Sequence, residues 1–118
     1  MSSETRLLTE VIRCVPSESI WHISSDSWQG IKDTFGQLLF DSNGDWQIRI
    51  TDENRTAIVR KAEEEEVAEK AVHMDIESNK GQALFVSYDA MASIIINAQL
   101  YNALNPANIP ADLEIGLG

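Results

Sequence analysis

His73, Asp75 and Glu77 stand at alternate positions and form the best ionic constellation in the chain. On a strand, alternate side chains project to one face, so an imidazole and two carboxylates there could share a divalent ion. Three ligands of mixed type with no second cluster to complete the coordination fall short of a metal site. The plainer reading is a solvated outer face opposite Val72, Met74 and Ile76. A second oxygen-rich set, Asp41, Asn43 and Asp45, lies in the stretch LLFDSNGDWQI. A calcium loop of the helix-loop-helix kind needs Gly at its sixth position and a bidentate Glu at its twelfth, and those positions here are Trp46 and Asp52. The stretch instead predicts a β-hairpin with a three-residue loop, Ser42-Asn43-Gly44, in which a type I turn is followed by a left-handed glycine. That register puts Phe40 opposite Trp46 and Leu38 opposite Ile48.

Other chemistry is sparse. The chain contains no glycine-rich phosphate loop, dinucleotide fingerprint, nucleophile elbow or HExxH motif. His22 and His73 are the only imidazoles, and Cys14 is the only thiol. Cys14 shares a helical face with Leu7, Val11 and Val15, which marks it as a small core residue rather than a nucleophile. Two carboxylates converging in space could still serve a hydrolase. No catalytic residue, metal or cofactor is expected.

Charge is the stronger signal. The 118 residues carry a formal net charge of −10, and no Lys or Arg follows Lys80. Binding to nucleic acid depends on cationic side chains displacing counterions, so this balance disfavours nucleic acid, and anionic membranes for the same reason. It favours electrostatically steered capture of a basic protein. Glu63, Glu64, Glu65, Glu66 and Glu69 would crowd one helix, with Glu65 and Glu69 repelling at i, i+4, a small cost that a basic partner would relieve. The competing reading is a solvated helix face. Trp21, Trp28 and Trp46 could anchor a partner, but each lies in an apolar pattern and reads first as core.

The elements that must position these groups follow from periodicity. Ser2 or Ser3 caps a first helix with Leu7, Leu8, Val11, Ile12 and Val15 on one side, stopped by Pro16. Ser19 to Ser24 reads as a strand. A short helix follows, capped by Ser25 or Asp26, with Trp28, Ile31 and Phe35 on one face. After the hairpin, Thr56 to Arg60 reads as the third strand of a meander and Lys61 to Ala71 as a helix. A second hairpin pairs the segment around Val72 to Glu77 with Gln82 to Ser87. The segment from Asp89 to Leu104 reads as a broadly apolar helix, central to the core or to an oligomer. The Pro- and Gly-containing tail, 105–118, alternates Leu113, Ile115 and Leu117 and could add a strand to its own or another sheet.

This order predicts one α+β domain spanning 1–118, with an antiparallel sheet of about five or six strands and helices packed mainly on one face. The opening MSSETRLLTE lacks the features of an export signal and no apolar run is long enough to cross a bilayer, so a cytoplasmic location is expected. The expected function is a small acidic protein-binding module that neutralises or escorts a basic partner, docking through Glu63, Glu64, Glu65, Glu66, Glu69, Asp75 and Glu77. In charge, the chain resembles immunity proteins and antitoxins that blockade nucleic-acid-cleaving toxins; in element order, it resembles small acidic secretion chaperones, which are dimeric. The resemblance implies a toxin or secreted effector as partner, and a homodimer through the last helix or tail is a further option. The alternative is a small-molecule-binding or enzymatic domain with its pocket between sheet and helices.

Overall fold

The computed structural model describes residues 1–42 and 44–118, with Ser42 known by its backbone alone. The chain begins with helix α1 (Ser3–Cys14). Ser2 caps it by accepting the Thr5 N–H, and Leu7, Leu8, Val11 and Ile12 form its buried stripe. Its C-terminal carbonyls are satisfied from a distance: Arg55 Nη1 donates to the oxygens of Ile12 and Val15, both at 2.7 Å. Strand β1 (Ser19–Ser24) follows, then α2 (Gly30–Phe35), β2 (Leu39–Ser42) and β3 (Asp45–Ile50). The second half contains α3 (Arg55–Glu64), α4 (Val67–Lys70), β4 (Met74–Glu77), β5 (Ala83–Tyr88), β6 (Ser93–Ile96), α5 (Ala98–Ala103) and β7 (Ile115–Leu117). The class is α+β, as the sequence predicts.

Among the described residues, seven strands form one sheet in the order β2-β3-β1-β4-β5-β6-β7, antiparallel except for the parallel β6–β7 pair. The count exceeds the expected five or six because β6 comes from a segment read as helix and the tail adds β7. Register defines two rows that cross every strand. One runs Leu39, Ile48, Trp21, Ile76, Phe85, Ile96, Leu117 and is apolar throughout. The other runs Phe40, Gln47, His22, Asp75, Val86, Ile95, Gly116. The helices pack on the first row, where Trp21 meets Phe35 edge to face with ring centroids 5.4 Å apart. No helix of the described residues covers the second.

Several expectations need correction. Thr56–Arg60 is helix, not strand, because Thr51 and Asn54 cap each other reciprocally: Thr51 N–H donates to Asn54 Oδ1 (2.8 Å) and Asn54 N–H to Thr51 Oγ1 (3.3 Å). The helix so started buries Ile58, Val59 and Ala62 at helical spacing, and that burial overrides the strand preference of β-branched residues. The expected helix from Asp89 to Leu104 is instead a turn, β6 and the short α5. Three consecutive β-branched isoleucines prefer the pleat, and Asn97 caps the helix that follows by accepting the Leu100 N–H. The Lys61–Ala71 helix is broken at Glu66, whose φ of +46° ends one helix before the next begins.

The first hairpin is also slipped by one residue. Asp45 pairs with Ser42, Trp46 with Asp41 and Ile48 with Leu39, leaving Asn43 and Gly44 between the paired ends. The expected three-residue loop thus gives way to a shorter one, of which Asn43 lies outside the described residues. Edge strand β2 satisfies the core with Leu39 and turns Phe40 outward, while Leu38 belongs to a 3-10 turn, Gly36–Leu38.

Segment 105–118 is packed rather than merely extended. Pro106–Asn108 forms a 3-10 turn, and the buried Glu10 of α1 accepts from Asn105 N–H (2.9 Å), Asn108 Nδ2 (2.8 Å) and Cys14 Sγ (3.3 Å). Burial alone would push the Glu10 carboxyl up, but these donors, with Arg13 beside it, outweigh burial and hold it below its ordinary value. The same arrangement pushes the Cys14 thiol up to about 11, through burial first and the Glu10 carboxylate second, so it stays protonated.

Candidate functional site

The uncovered sheet face carries a concavity of about 270 Å³ bounded by His22, Ser24, Asp45, His73, Asp75 and Tyr88. Antiparallel pairing makes it: His22 of β1 lies between Gln47 of β3 and Asp75 of β4, with Ser24 opposite Asp45 one step along. Val86 of β5 flanks Asp75 on the other side. Tyr88, at the end of β5, stands 49% exposed with its ring edge-on to His73 at 5.5 Å. Phe40 (42% exposed) and Ile95 (43% exposed) extend the apolar surface toward the two sheet edges.

Charge on this face is unevenly satisfied. His22 Nε2 lies 2.9 Å from Glu77 Oε1, and Arg49 Nη1 lies 3.1 Å from Glu18 Oε2. Asp75 has no hydrogen-bonding or ion-pairing partner among the described residues. Burial, aided by the charges of Glu77 and Asp45 and opposed by His22, holds its carboxyl above the ordinary value. A partly desolvated acid without a donor is out of balance, and perturbed groups of this kind concentrate at functional sites.

Backbone strain adds to the imbalance. The β5–β6 connection places Asp89, Ala90 and Met91 consecutively at φ of +53°, +54° and +70°, a conformation that costs non-glycine residues roughly 1–2 kcal/mol each. The turn is held by the buried Met91 side chain and by Ala90 N–H donating to Val72 O at 3.0 Å. Asp89 N–H reaches His73 Nδ1 at 3.4 Å, tying the turn to the wall of the concavity.

The seven acids expected to dock a partner are not brought together. Glu63, Glu64, Glu65, Glu66 and Glu69 lie in the helical layer, whereas Asp75 and Glu77 lie on the uncovered face of the sheet. Glu63 is engaged by Arg13 at 3.0 Å and Glu65 by Lys70 at 3.8 Å; Glu64 and Glu69 are exposed. Because the helix breaks at Glu66, Glu65 and Glu69 no longer share one helical face, and the repulsion expected of them does not arise in that form. Of the ionic trio, His73 and Asp75 line the concavity while Glu77 turns to His22. Among the described residues no group of three or more His, Cys, Asp or Glu is placed to hold a metal ion.

Trp21 and Trp46 are core residues, as expected, but Trp28 is 43% exposed. Its ring sits against Gly30, where a Cβ would clash with it, and Lys70 Nζ sits 4.2 Å from its centroid. Sequence reading missed His22, Asp45 and Tyr88 as members of the site. His22 did carry a signal: it occupies the polar position between Trp21 and Ile23, which a half-buried strand turns outward. Its neighbours could not be read, because they follow from strand order.

No protein-family model matches this chain, no curated protein matches it, and no solved structure matches it. No helix among the described residues is long and apolar enough to cross a membrane.

Proposed function

We propose that the chain is a small acidic protein-binding module that neutralises or escorts a basic protein partner, in the manner of an immunity protein or antitoxin, and that it does so in the cytoplasm. The observation that carries this reading is the uncovered sheet face, where an unpartnered carboxylate lies among exposed Phe40, Tyr88 and Ile95 in a chain of net charge −10. Apolar side chains supply contact area, and the negative field supplies fast encounter and discrimination against acidic competitors. The chaperone-like version loses the element order on which its likeness rested, since the expected last long helix is a turn, β6 and the short α5. The glutamates of α3 and α4 then serve as a second, more distant source of negative field.

The test is capture from lysate of the source organism, washed at low and then high salt, with an Asp75→Asn/Glu77→Gln variant and a Glu64→Gln/Glu65→Gln/Glu69→Gln variant alongside. The reading expects one basic protein, lost at high salt and more strongly reduced by the open-face variant. Retention that ignores both salt and the two variants would sink it.

A second reading has its own observation. The concavity brings two imidazoles, two carboxylates and a phenol to one place, a set suited to a small polar ligand. It lies on the outer face of the sheet rather than between sheet and helices. Thermal stabilisation by a small molecule, abolished by His73→Ala and unaffected by salt, would favour this reading over the first.

A further inference from the structure

We propose that the concavity on the uncovered face seats a single arginine side chain of the basic partner, with Asp75 as its counter-charge and the Tyr88 ring as its wall. This rests on the binding-module reading and adds which surface and which side chain carry it. The other main charges on this face are already engaged: Glu77 holds His22, and Arg49 holds Glu18. Asp75 remains partly buried without a donor, and the nearby Asp45 is exposed. An incoming cation therefore finds an acid whose ionised form has the charge of His22 nearby but no donor, and it gains most by supplying several N–H donors at once.

A guanidinium fits this better than an ammonium. It is more weakly hydrated, so less is lost on leaving water, its planar fork offers donors to Asp75 and Asp45 together, and it stacks on aromatic rings. Tyr88 presents such a ring, backed by His73 at 5.5 Å, which is itself tied to the left-handed turn through Asp89 N–H. At about 270 Å³ the concavity has room for one side-chain head group and lies below the size of a typical drug-like pocket. Along the same row, Val86 and Ile95 on one side and Phe40 on the other offer apolar contact to residues flanking that arginine. A basic segment with apolar neighbours is thus the matching partner chemistry.

The test is an amide NMR titration of the ¹⁵N-labelled full chain with N-acetyl-arginine N-methylamide, and with the uncharged citrulline counterpart as control. Saturable shifts are expected at Ser24, Asp45, Asp75 and Tyr88 with arginine and not with citrulline. Asp75→Asn, which keeps the shape, should weaken them about tenfold or more. The lysine derivative should bind more weakly than arginine. Shifts of equal size at Glu64, Glu65 and Glu69, or equal affinity for Asp75→Asn, would overturn the proposal. If the concavity ignores arginine while capture of a basic protein still depends on salt and on the α3–α4 glutamates, the anchor falls and the module reading stands. Loss of both results removes both.

Discussion

Glu10 in the helical layer and Asp75 on the uncovered sheet face are both carboxylates drawn partly out of water, and the fold treats them in opposite ways. Glu10 receives donors from Asn105, Asn108 and Cys14, and its carboxyl is held low. Asp75 receives none, and its carboxyl is held high. The same contrast extends to the faces on which they lie. The covered side holds the apolar row through Trp21 and Phe85, whereas the uncovered side collects the unpartnered acid, the exposed Phe40, Tyr88 and Ile95, and the left-handed turn beside His73. Stabilising contacts gather on one side of the sheet and unspent interactions on the other. An unpartnered acid, exposed apolar side chains and a strained turn on one surface are the features that the proposed binding reading would use.

The comparison can be broken first at the two rows. Phe85→Ala, in the covered row, should cost about 3–5 kcal/mol in urea unfolding, because it leaves a cavity in a packed core. Val86→Ala, its neighbour in the uncovered row, should cost less than about 1 kcal/mol. Equal costs would mean that the second face is not open in solution. Next in size is Glu10→Gln, expected to lose about 1–3 kcal/mol at pH 7 by upsetting a buried set of hydrogen bonds. Since Glu10 is held low in the folded chain, its contribution is fully present above the ordinary carboxyl value of about 4.5, and fades as pH falls through the folded value.

Asp75 should behave with the opposite sign. Its folded carboxyl is held high, so the native chain binds the proton more tightly than the unfolded one. The cost of ionising it is absent below the ordinary value of about 3.8 and complete above the folded value. Asp75→Asn should therefore raise the melting temperature at pH 7, and the gain should vanish below about pH 4. A loss at neutral pH would show that Asp75 has a structural partner after all. The smallest effect is expected from Ala90→Gly, which relieves a left-handed backbone and should stabilise by about 0.5 kcal/mol in the same assay. Destabilisation would mean that the turn is not a source of strain.

These contrasts were only partly legible in the sequence. The first helix, the strand from Ser19 to Ser24 and the outward alternation of Asp75 and Glu77 follow from local periodicity and capping. Two segments were misread because a local preference competed with context. Ile58 and Val59 suggested a strand until the Thr51–Asn54 cap is seen to start a helix, and Ile94 to Ile96 lay inside an apolar run long enough to imitate one. The site was harder. That His22 lies beside Asp75, and Asp45 opposite Ser24, depends on β1 entering the sheet between strands that come much later in the chain. The Glu63–Glu69 run was the loudest charge signal, yet its members are split by the left-handed Glu66 and partly neutralised by Arg13 and Lys70.

The position of β1 also bears on how the molecule assembles in time. The β2–β3 hairpin and the β4–β5–β6 meander each pair locally and need short loops to close, but they meet only through β1. Seating that strand requires contacts between residues as distant as Trp21 and Ile76, so this late, long-range closure should set the folding rate. During synthesis, β1 emerges before both strands that flank it, so its two edges wait unpaired until β3 and then β4 arrive. Until then those edges are open to mispairing with another copy.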